Sequence, residues 1–194
     1  MTLRRGIAPS APGTPMIHLR PERPEDAAAI REVHRLAFGG AAEADIVDAV
    51  RAAGAAVLSM VAVEGMEEAE TGPGGRVVAH VLYTGVTVTA EDGGRNSLLG
   101  LAPIAVLPVH QHAGVGTMLA EASLERLRAE GHCGVVVVGH PGYYPRFGFL
   151  PGSRWGLRWE VETPDGVFQA AELSPGGLAG IHGVVRFRPE FSEA

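Results

Sequence analysis

The sequence is short of three features, and each shortage argues against a large class of proteins. It has one cysteine, Cys133, so no disulfide can form within the chain, and this fits a reducing compartment. It has no run of about 18 apolar residues, which a transmembrane helix requires. It has no excess of positive charge, since the formal net charge is −6 at pH 7, and nucleic-acid binders usually carry a basic patch. We therefore expect a cytoplasmic protein that binds neither nucleic acid nor a membrane.

What remains is the composition of an ordinary globular chain. The 194 residues are 46% hydrophobic and 20% charged, which is enough for one domain with a real core. Residues 1–15 are rich in Ala, Pro, Gly and Arg and lack the apolar centre of a signal peptide. We predict a disordered leader over residues 1–15 and a single domain over residues 16–194, present as a monomer or a homodimer.

The stretch from residue 98 to residue 130 predicts a strand, a loop and a helix. An apolar run ends at Pro108, and a glycine-bearing turn, Gln111–Gly116, follows it. Apolar residues then recur at helical spacing until Gly131. Glycines let a backbone approach a ligand closely, and the first amides of a helix have no partner within the helix. This arrangement is typical of a phosphate or pyrophosphate site.

Four interpretations of this loop compete, and the residues argue against two of them. A dinucleotide-binding loop requires a third glycine where Leu119 stands, and a P-loop requires Gly-Lys-Ser/Thr, which is absent. A Q-x-x-G-x-G loop after a strand fits the residues. A glycine-rich turn that binds nothing also fits them.

The rest of the chain predicts one α+β sheet, antiparallel at first, with a parallel pair in the 98–138 unit. The predicted elements, in chain order, are a strand at Ile17–Arg20, a helix from Pro24, a helix over Ala42–Ala52 with Ile46, Ala49 and Val50 inward, a strand over Val57–Glu64, a strand over Arg76–Thr89 with a bulge or bend at Gly85, the 98–130 unit, and a strand over Val135–Val138.

Two further strands are predicted near the C-terminus, over Trp155–Val161 and Phe168–Leu173. The Asp165-Gly166 dipeptide between them favours a hairpin. Trp155 and Trp159 share one parity, so we expect both to point inward.

A second motif gives the chain a family resemblance. The segment Tyr144-x-Arg146-Phe147-Gly148-Phe149 resembles the Y-x-K/R-x-G-F segment of the GCN5-related N-acetyltransferases (GNAT family), and Q-x-x-G-x-G resembles their acetyl-CoA pyrophosphate loop. The segment Ala37–Ala44, AFGGAAEA, is similar to a branch known mostly as predicted N-acetyltransferases. By element order, the resemblance covers roughly residues 16 to 173.

The resemblance implies a fold, a co-substrate and a site. The fold would be a GNAT-like mixed central sheet, mostly antiparallel with a splayed parallel pair, flanked by helices. Acetyl-CoA would be the co-substrate, and the acceptor would be an amine of a small molecule or a protein. The implied CoA-binding residues are Ile104, Ala105 and Val106 along the pantetheine arm and Gln111, His112, Ala113, Gly114, Val115, Gly116 and Thr117 around the pyrophosphate.

The implied catalytic residue is Tyr144, which would donate a proton to the departing CoA sulfur. The N–H near Val106 would stabilise the carbonyl oxygen as it gains charge. Alone, Tyr144 could equally be a packing residue in an aromatic-rich turn. We expect no metal, because His110-x-His112 has no further ligand at suitable spacing.

The general base is not specified by the sequence. Relatives often carry a glutamate on the fourth strand, and residues 98–107 contain none. Glu43, His80 and His110 are candidates, although each also fits a surface or core role. The missing glutamate supports an alternative function, a non-catalytic acyl-CoA-binding sensor or scaffold.

Overall fold

The computed structural model describes residues 16–65 and 75–192, so the predicted leader lies outside the described residues. Three α-helices and nine strands are present in this part of the chain. They are β1 (Ile17–Pro21), α1 (Ala27–Phe38), α2 (Ala42–Ala52), β2 (Ala56–Glu64), β3 (Arg76–Thr89), β4 (Arg95–Val106), α3 (Val115–Ala129), β5 (Gly134–Val138), β6 (Leu150–Pro151), β7 (Leu157–Trp159), β8 (Phe168–Glu172) and β9 (Gly183–Arg186). Short 3₁₀ helices lie at Pro24–Asp26, Pro108–His110, Tyr144–Phe147, Gly152–Trp155 and Pro189–Phe191.

The strands form one mixed sheet in the order β1-β2-β3-β4-β5-β8-β6, and β9 joins β3 to β7 at one end. All pairs are antiparallel except β4–β5 and β7–β9. This confirms the predicted mixed sheet, mostly antiparallel with a parallel pair at the 98–138 unit. The β7–β9 pair adds a second parallel contact that the sequence did not indicate.

The helices cover opposite faces of this sheet. His34 on α1 is hydrogen-bonded to His80 on β3, while Ser123 on α3 is hydrogen-bonded to Tyr83 on the same strand. Residues three apart on a strand point to opposite faces, so α1 and α3 lie on opposite sides of β3. In the described residues, no helix is long and apolar enough to cross a membrane.

Helix α2 has the predicted bounds but a different inward face. Ala44, Val47 and Val50 are buried, whereas Ala49 is exposed and Ile46 only half-buried. Because Ala44, Val47 and Val50 are three residues apart, they lie along one side of the helix. Ala49 is turned about 100° away from Val50 around the helix axis, towards solvent. The prediction for Ala49 was therefore wrong, and Val47 belongs in the core.

The predicted C-terminal hairpin is also wrong. β7 pairs with β9, while β8 lies between β5 and β6, so the Asp-Gly turn closes only a single bridge from Asp165 to Phe168. Leu157 is 2% exposed, and the two flanking tryptophans are half-buried against the same cluster. The local turn signal was outweighed by pairing between segments distant in sequence.

The irregularity expected at Gly85 lies elsewhere. Gly85 pairs in regular register with Leu99, and the register shifts instead between Val81 and Tyr83. The opposing residues of β4 include Pro103, preceded by a cis peptide bond. Proline has no N–H to give to the ladder, so the regular pairing is interrupted here and resumes at Ile104.

Candidate active site

The site is built where β4 and β5 part. Only Leu99 and Gly100 of β4 pair with β5, although β4 continues to Val106. Beyond this point the two parallel strands diverge, and the gap between them opens into a cavity of about 980 Å³. A cavity of this size falls in the range of small-molecule and cofactor sites, which span about 300–1,000 Å³.

Eight of the ten predicted CoA-binding residues line this cavity, and so does Tyr144. The eight are Ile104, Ala105, Val106, Gln111, His112, Gly114, Gly116 and Thr117. Of the other two, Ala113 is exposed on the loop, and the side chain of Val115 is buried in the core at 4% exposure. The structure therefore brings the loop motif and the tyrosine motif to one cavity.

The loop before α3 has an unusual backbone. His112 has φ of 62° and Gly114 has φ of 85°, both in the left-handed region. A non-glycine residue with positive φ is uncommon, and backbone turns of this kind gather N–H groups into an anion-binding concavity. Gln111 fixes the start of the loop, because its Nε2 donates a 3.0 Å hydrogen bond to the Val106 carbonyl.

The first turn of α3 carries free amides. The first hydrogen bond into the helix runs from the Met118 N–H to the Gly114 carbonyl, at 3.0 Å. Within the described residues, the amides at positions 115–117 have no backbone acceptor, and no side chain caps the helix. Unpaired amides and the positive end of the helix dipole favour a bound phosphate.

Gly116 leaves the space in front of these amides open. A Cβ at this position would lie 3.1 Å from the Tyr143 hydroxyl and 3.1 Å from Cγ2 of Val106. Any larger residue would therefore push into the cavity between the loop and β4. The residue type needed here is set by close packing and not by backbone conformation, since φ of Gly116 is not positive.

The register of β4 decides which of its amides face the cavity. Leu107 donates to the Val78 carbonyl across the ladder with β3. Hydrogen-bonded pairs alternate along an antiparallel ladder, so Ala105 also directs its backbone groups towards β3. Ile104 and Val106 direct theirs to the other edge, where β5 has moved away. Two amides along the strand are thus available to a ligand in the gap.

Tyr144 presents its hydroxyl from a rigid setting. Its side chain is 7% exposed, and its ring packs edge-on against Tyr143 and Phe149 and against the backbone of Gly139. Its hydroxyl makes no hydrogen bond to another described residue, yet it is not among the fully buried polar atoms. The hydroxyl is therefore accessible from the cavity. Burial, reinforced by the neighbouring Tyr143, raises the pKa of Tyr144 to about 12.

Several lining residues received no role from the sequence, and Glu43, one of the candidate bases, lines the cavity with them. Tyr143 stacks under the guanidinium of Arg146, 4.7 Å from the ring centroid, and both line the cavity. Ala37, Phe38 and Glu43 line it from the α1–α2 side. Arg146 lies inside the 144–149 motif and Tyr143 directly precedes it, while the other three lie inside the 37–44 motif, so the motifs marked the right segments without distinguishing these side chains.

Among the candidate bases, His80 does not reach the cavity. It is fully buried, and its two ring nitrogens lie 2.7 Å from His34 Nε2 and 2.8 Å from Ser59 Oγ. His110 lines the cavity, with its Nε2 held 2.8 Å from a carboxylate oxygen of Glu64. Over the two described ranges, no three His, Cys, Asp or Glu side chains form a group that could hold a metal ion.

Comparison with known proteins agrees with this geometry. Residues 18–152 match the family model of the acetyltransferase (GNAT) domain. The chain is 31% identical, over 174 residues, to the uncharacterized N-acetyltransferase YhbS of Escherichia coli K12, covering 90% of this chain and 98% of that protein.

Two solved structures are similar along nearly the whole chain. The YhbS structure from Escherichia coli in complex with CoA has a TM-score of 0.83 at 29% identity, covering 95% of this chain and 96% of that one. A GNAT family acetyltransferase from Brucella melitensis in complex with acetyl-CoA has a TM-score of 0.71 at 34% identity, covering 91% and 98%. With a family match over most of its length and the splayed β4–β5 cavity at its centre, the chain belongs to the GNAT acetyltransferase family.

Proposed function

We propose that this protein is a cytoplasmic N-acetyltransferase that transfers an acetyl group from acetyl-CoA to a primary amine by direct attack in a ternary complex. One observation carries the proposal. The unpaired amides at the start of α3 and the free hydroxyl of Tyr144 open onto the same cavity.

The cavity fits acetyl-CoA in three places. The amides of residues 112–117 would hold the diphosphate, because they are unpaired and lie at a helix N-terminus. The cavity-facing amides of Ile104 and Val106 would pair with the pantetheine arm in the manner of an added strand. Gly116 keeps the passage between these two parts clear. The solved relatives with CoA or acetyl-CoA bound support CoA as the kind of ligand that this cavity holds.

Acetyl-CoA would supply an activated acetyl thioester. Of the two cavity-facing N–H groups of β4, at Ile104 and Val106, the one that the pantetheine arm leaves unpaired would donate to the acetyl oxygen as it gains negative charge. In the transfer, a bond forms between the amine nitrogen and the acetyl carbon, and the bond from that carbon to sulfur breaks. Tyr144 would donate its proton to the departing sulfur and recover one from solvent, while the proton of the amine leaves to solvent.

The amine that accepts the acetyl group cannot be a side chain of this protein. The sequence contains 16 arginines and no lysine, so no side chain offers a primary amine. The cavity extends to the α1–α2 side, where Ala37, Phe38 and Glu43 line it. An external amine would approach from that side.

The test is release of free CoA thiol that depends on both acetyl-CoA and an amine, compared in wild type and Tyr144→Phe. We expect Tyr144→Phe to lower kcat by about 10²-fold, the usual effect of losing a general acid, while the KM for acetyl-CoA stays unchanged. The matched control is Tyr83→Phe, which removes a buried hydroxyl that is bonded to Ser123 and does not line the cavity. Equal kcat in Tyr144→Phe and wild type would count against the proposed acid.

A non-catalytic acyl-CoA sensor is the second candidate. It is favoured by β4, whose residues along the cavity include no carboxylate. Tight CoA binding in calorimetry, together with no thiol release across a broad amine panel, would favour the sensor over the enzyme.

A further inference from the structure

The cavity carries a single carboxylate. Of the described residues that line it, Glu43 alone is acidic, and the other charged or titratable side chains are the tyrosines, Arg146 and three histidines. A positively charged group that entered the cavity would therefore find one anionic side chain to bind.

Glu43 is also unpaired, unlike the acids beside it. Asp45 and Asp48 on the same helix are bound by Arg31 at 2.7 and 2.5 Å, and Asp48 is bound again by Arg51 at 2.6 Å. Glu43 makes no ion pair or hydrogen bond with another described side chain. Arg31 and Arg51 form ion pairs with Asp45 and Asp48 and not with Glu43. The half-buried carboxylate of Glu43 is left facing the cavity.

The position of Glu43 separates it from the CoA-binding loop. It lies in the first turn of α2, just after the α1–α2 connection, and α1 covers the face of the sheet opposite α3. Phe38, at the end of α1, lines the same wall and is 47% exposed. An acceptor entering from this face would meet an aromatic ring for its carbon chain and a carboxylate for its charge.

We propose that Glu43 binds a positively charged group of the acceptor and so selects amines that carry a second positive charge. The inference rests on the proposed acetyl transfer. The nitrogen that attacks must be neutral to offer its lone pair, so the charge that Glu43 holds belongs to another group of the same molecule. The preferred acceptor class is accordingly a diamine, or an amine beside a guanidinium. Glu43 here is a specificity-determining residue.

The experiment compares straight-chain diamines of three to six carbons with amino alcohols of the same lengths. In wild type we expect kcat/KM to favour the diamine by about tenfold at the best length, the value of a hydrogen-bonded charge pair. Glu43→Gln should remove this preference by raising the KM for the diamine. The KM for the amino alcohol and the KM for acetyl-CoA should stay unchanged. Glu43→Asp, which keeps the charge, should keep part of the preference.

The control is Glu91→Gln, which makes the same change in net charge at an exposed residue of the β3–β4 turn. An equal loss for diamine and amino alcohol in Glu43→Gln would overturn the inference, as would thiol release in wild type without any preference for the diamine. Either result would leave the proposed acetyl transfer standing.

If no amine is turned over, the proposed transfer fails, and binding tests Glu43 separately. Calorimetric titration of the diamine into the CoA-loaded protein should show weaker binding in Glu43→Gln than in wild type. Equal binding of the diamine by the two proteins would overturn the role of Glu43.

Discussion

At the scale of single residues, burial keeps the hydroxyl of Tyr144, the proposed acid, in its protonated form. A phenol ordinarily titrates near pH 10, and burial raises the pKa of Tyr144 to about 12. The protonated form, which is the form that can donate, therefore persists to higher pH. The packing that raises the pKa also fixes the ring, since Tyr143, Phe149 and the Gly139 backbone enclose it.

A prediction for the pH dependence of kcat follows from this direction of shift. The rate should rise with pH as the amine loses its proton and should not fall again below about pH 10. The measurement is kcat under saturating acetyl-CoA and amine from pH 6 to about pH 10. A descending limb near pH 8 that persists in Tyr144→Phe would show that a different group is the acid.

Gly116 yields a second prediction at this scale, because its Cβ position lies between Val106 and Tyr143. Gly116→Val should weaken CoA binding by at least about tenfold, since the two added methyl groups would occupy the passage from diphosphate to pantetheine. Gly85→Val is the control, because a Cβ at Gly85 has no neighbour within 4 Å. Unchanged CoA affinity in Gly116→Val, measured by calorimetry, would place the ligand elsewhere.

At the scale of elements, a buried chain of polar side chains joins α1, α2, β2 and β3. His34 is bonded to His80, which is bonded to Ser59, and Ser59 donates to Glu22, which also accepts 2.7 Å from Arg51. These contacts hold the two N-terminal helices in position over β3. The wall that presents Phe38 and Glu43 to the cavity depends on that position.

These hydrogen-bonded polar side chains predict that the folded protein loses stability in mild acid. Burial lowers the pKa of His34 from 6.5 to about 3. Burial alone would raise the pKa of Glu22, but hydrogen bonds from His80, Ser59 and Arg51 outweigh it and lower the pKa from 4.5 to about 2. In both cases the unfolded chain takes up the proton first as pH falls. The free energy of unfolding is therefore highest above pH 6.5. It declines below pH 6.5 as His34 of the unfolded chain takes up a proton, and below pH 4.5 as Glu22 of the unfolded chain does the same.

The variant His34→Gln tests the upper part of this window. In wild type the free energy of unfolding should fall by about 1 kcal/mol per pH unit below pH 6.5 on account of His34. His34→Gln should make this slope shallower between pH 6.5 and pH 5, because glutamine does not titrate, while His80, whose pKa burial also lowers, keeps part of the slope. Urea unfolding at several pH values measures the free energy of unfolding. The control is His182→Gln, because His182 is exposed. Parallel profiles for His34→Gln and wild type would contradict the argument.

The sequence predicted those elements whose signals are local. The strand–loop–helix unit and α2 were found because apolar spacing, glycines and a following turn all lie within about 30 residues. Tyr144 and the 111–117 loop were assigned to one site through two motifs, and the structure places both on one cavity. In contrast, the β7–β9 pair and the His34–His80 bond join residues far apart in the chain. Composition and periodicity do not indicate which residues far apart in the chain will pair.

At the scale of the whole molecule, the cavity couples ligand binding to overall stability. It is lined by residues from α1, α2, β4, β5 and α3, and the loop before α3 belongs to none of the sheet ladders. A ligand that joins these elements binds the folded chain alone. Binding should therefore raise the free energy of unfolding by mass action.

The predicted result is a higher melting temperature with CoA. At about 100 times the dissociation constant, CoA should add about 2.7 kcal/mol, which is about 5–10 °C in a chain of this size. Tyr144→Phe should keep the whole shift, whereas Gly116→Val, which binds CoA at least about tenfold more weakly, should lose at least about half of it. Differential scanning fluorimetry measures both. No shift in wild type would contradict binding at the cavity.

The most direct test of the account is a crystal structure of this protein with acetyl-CoA. The account predicts the diphosphate within hydrogen-bond distance of the amides of residues 112–117, and the sulfur within about 4 Å of the Tyr144 hydroxyl. A diphosphate bound away from the α3 N-terminus, or a sulfur on the far side of β4 from Tyr144, would contradict it.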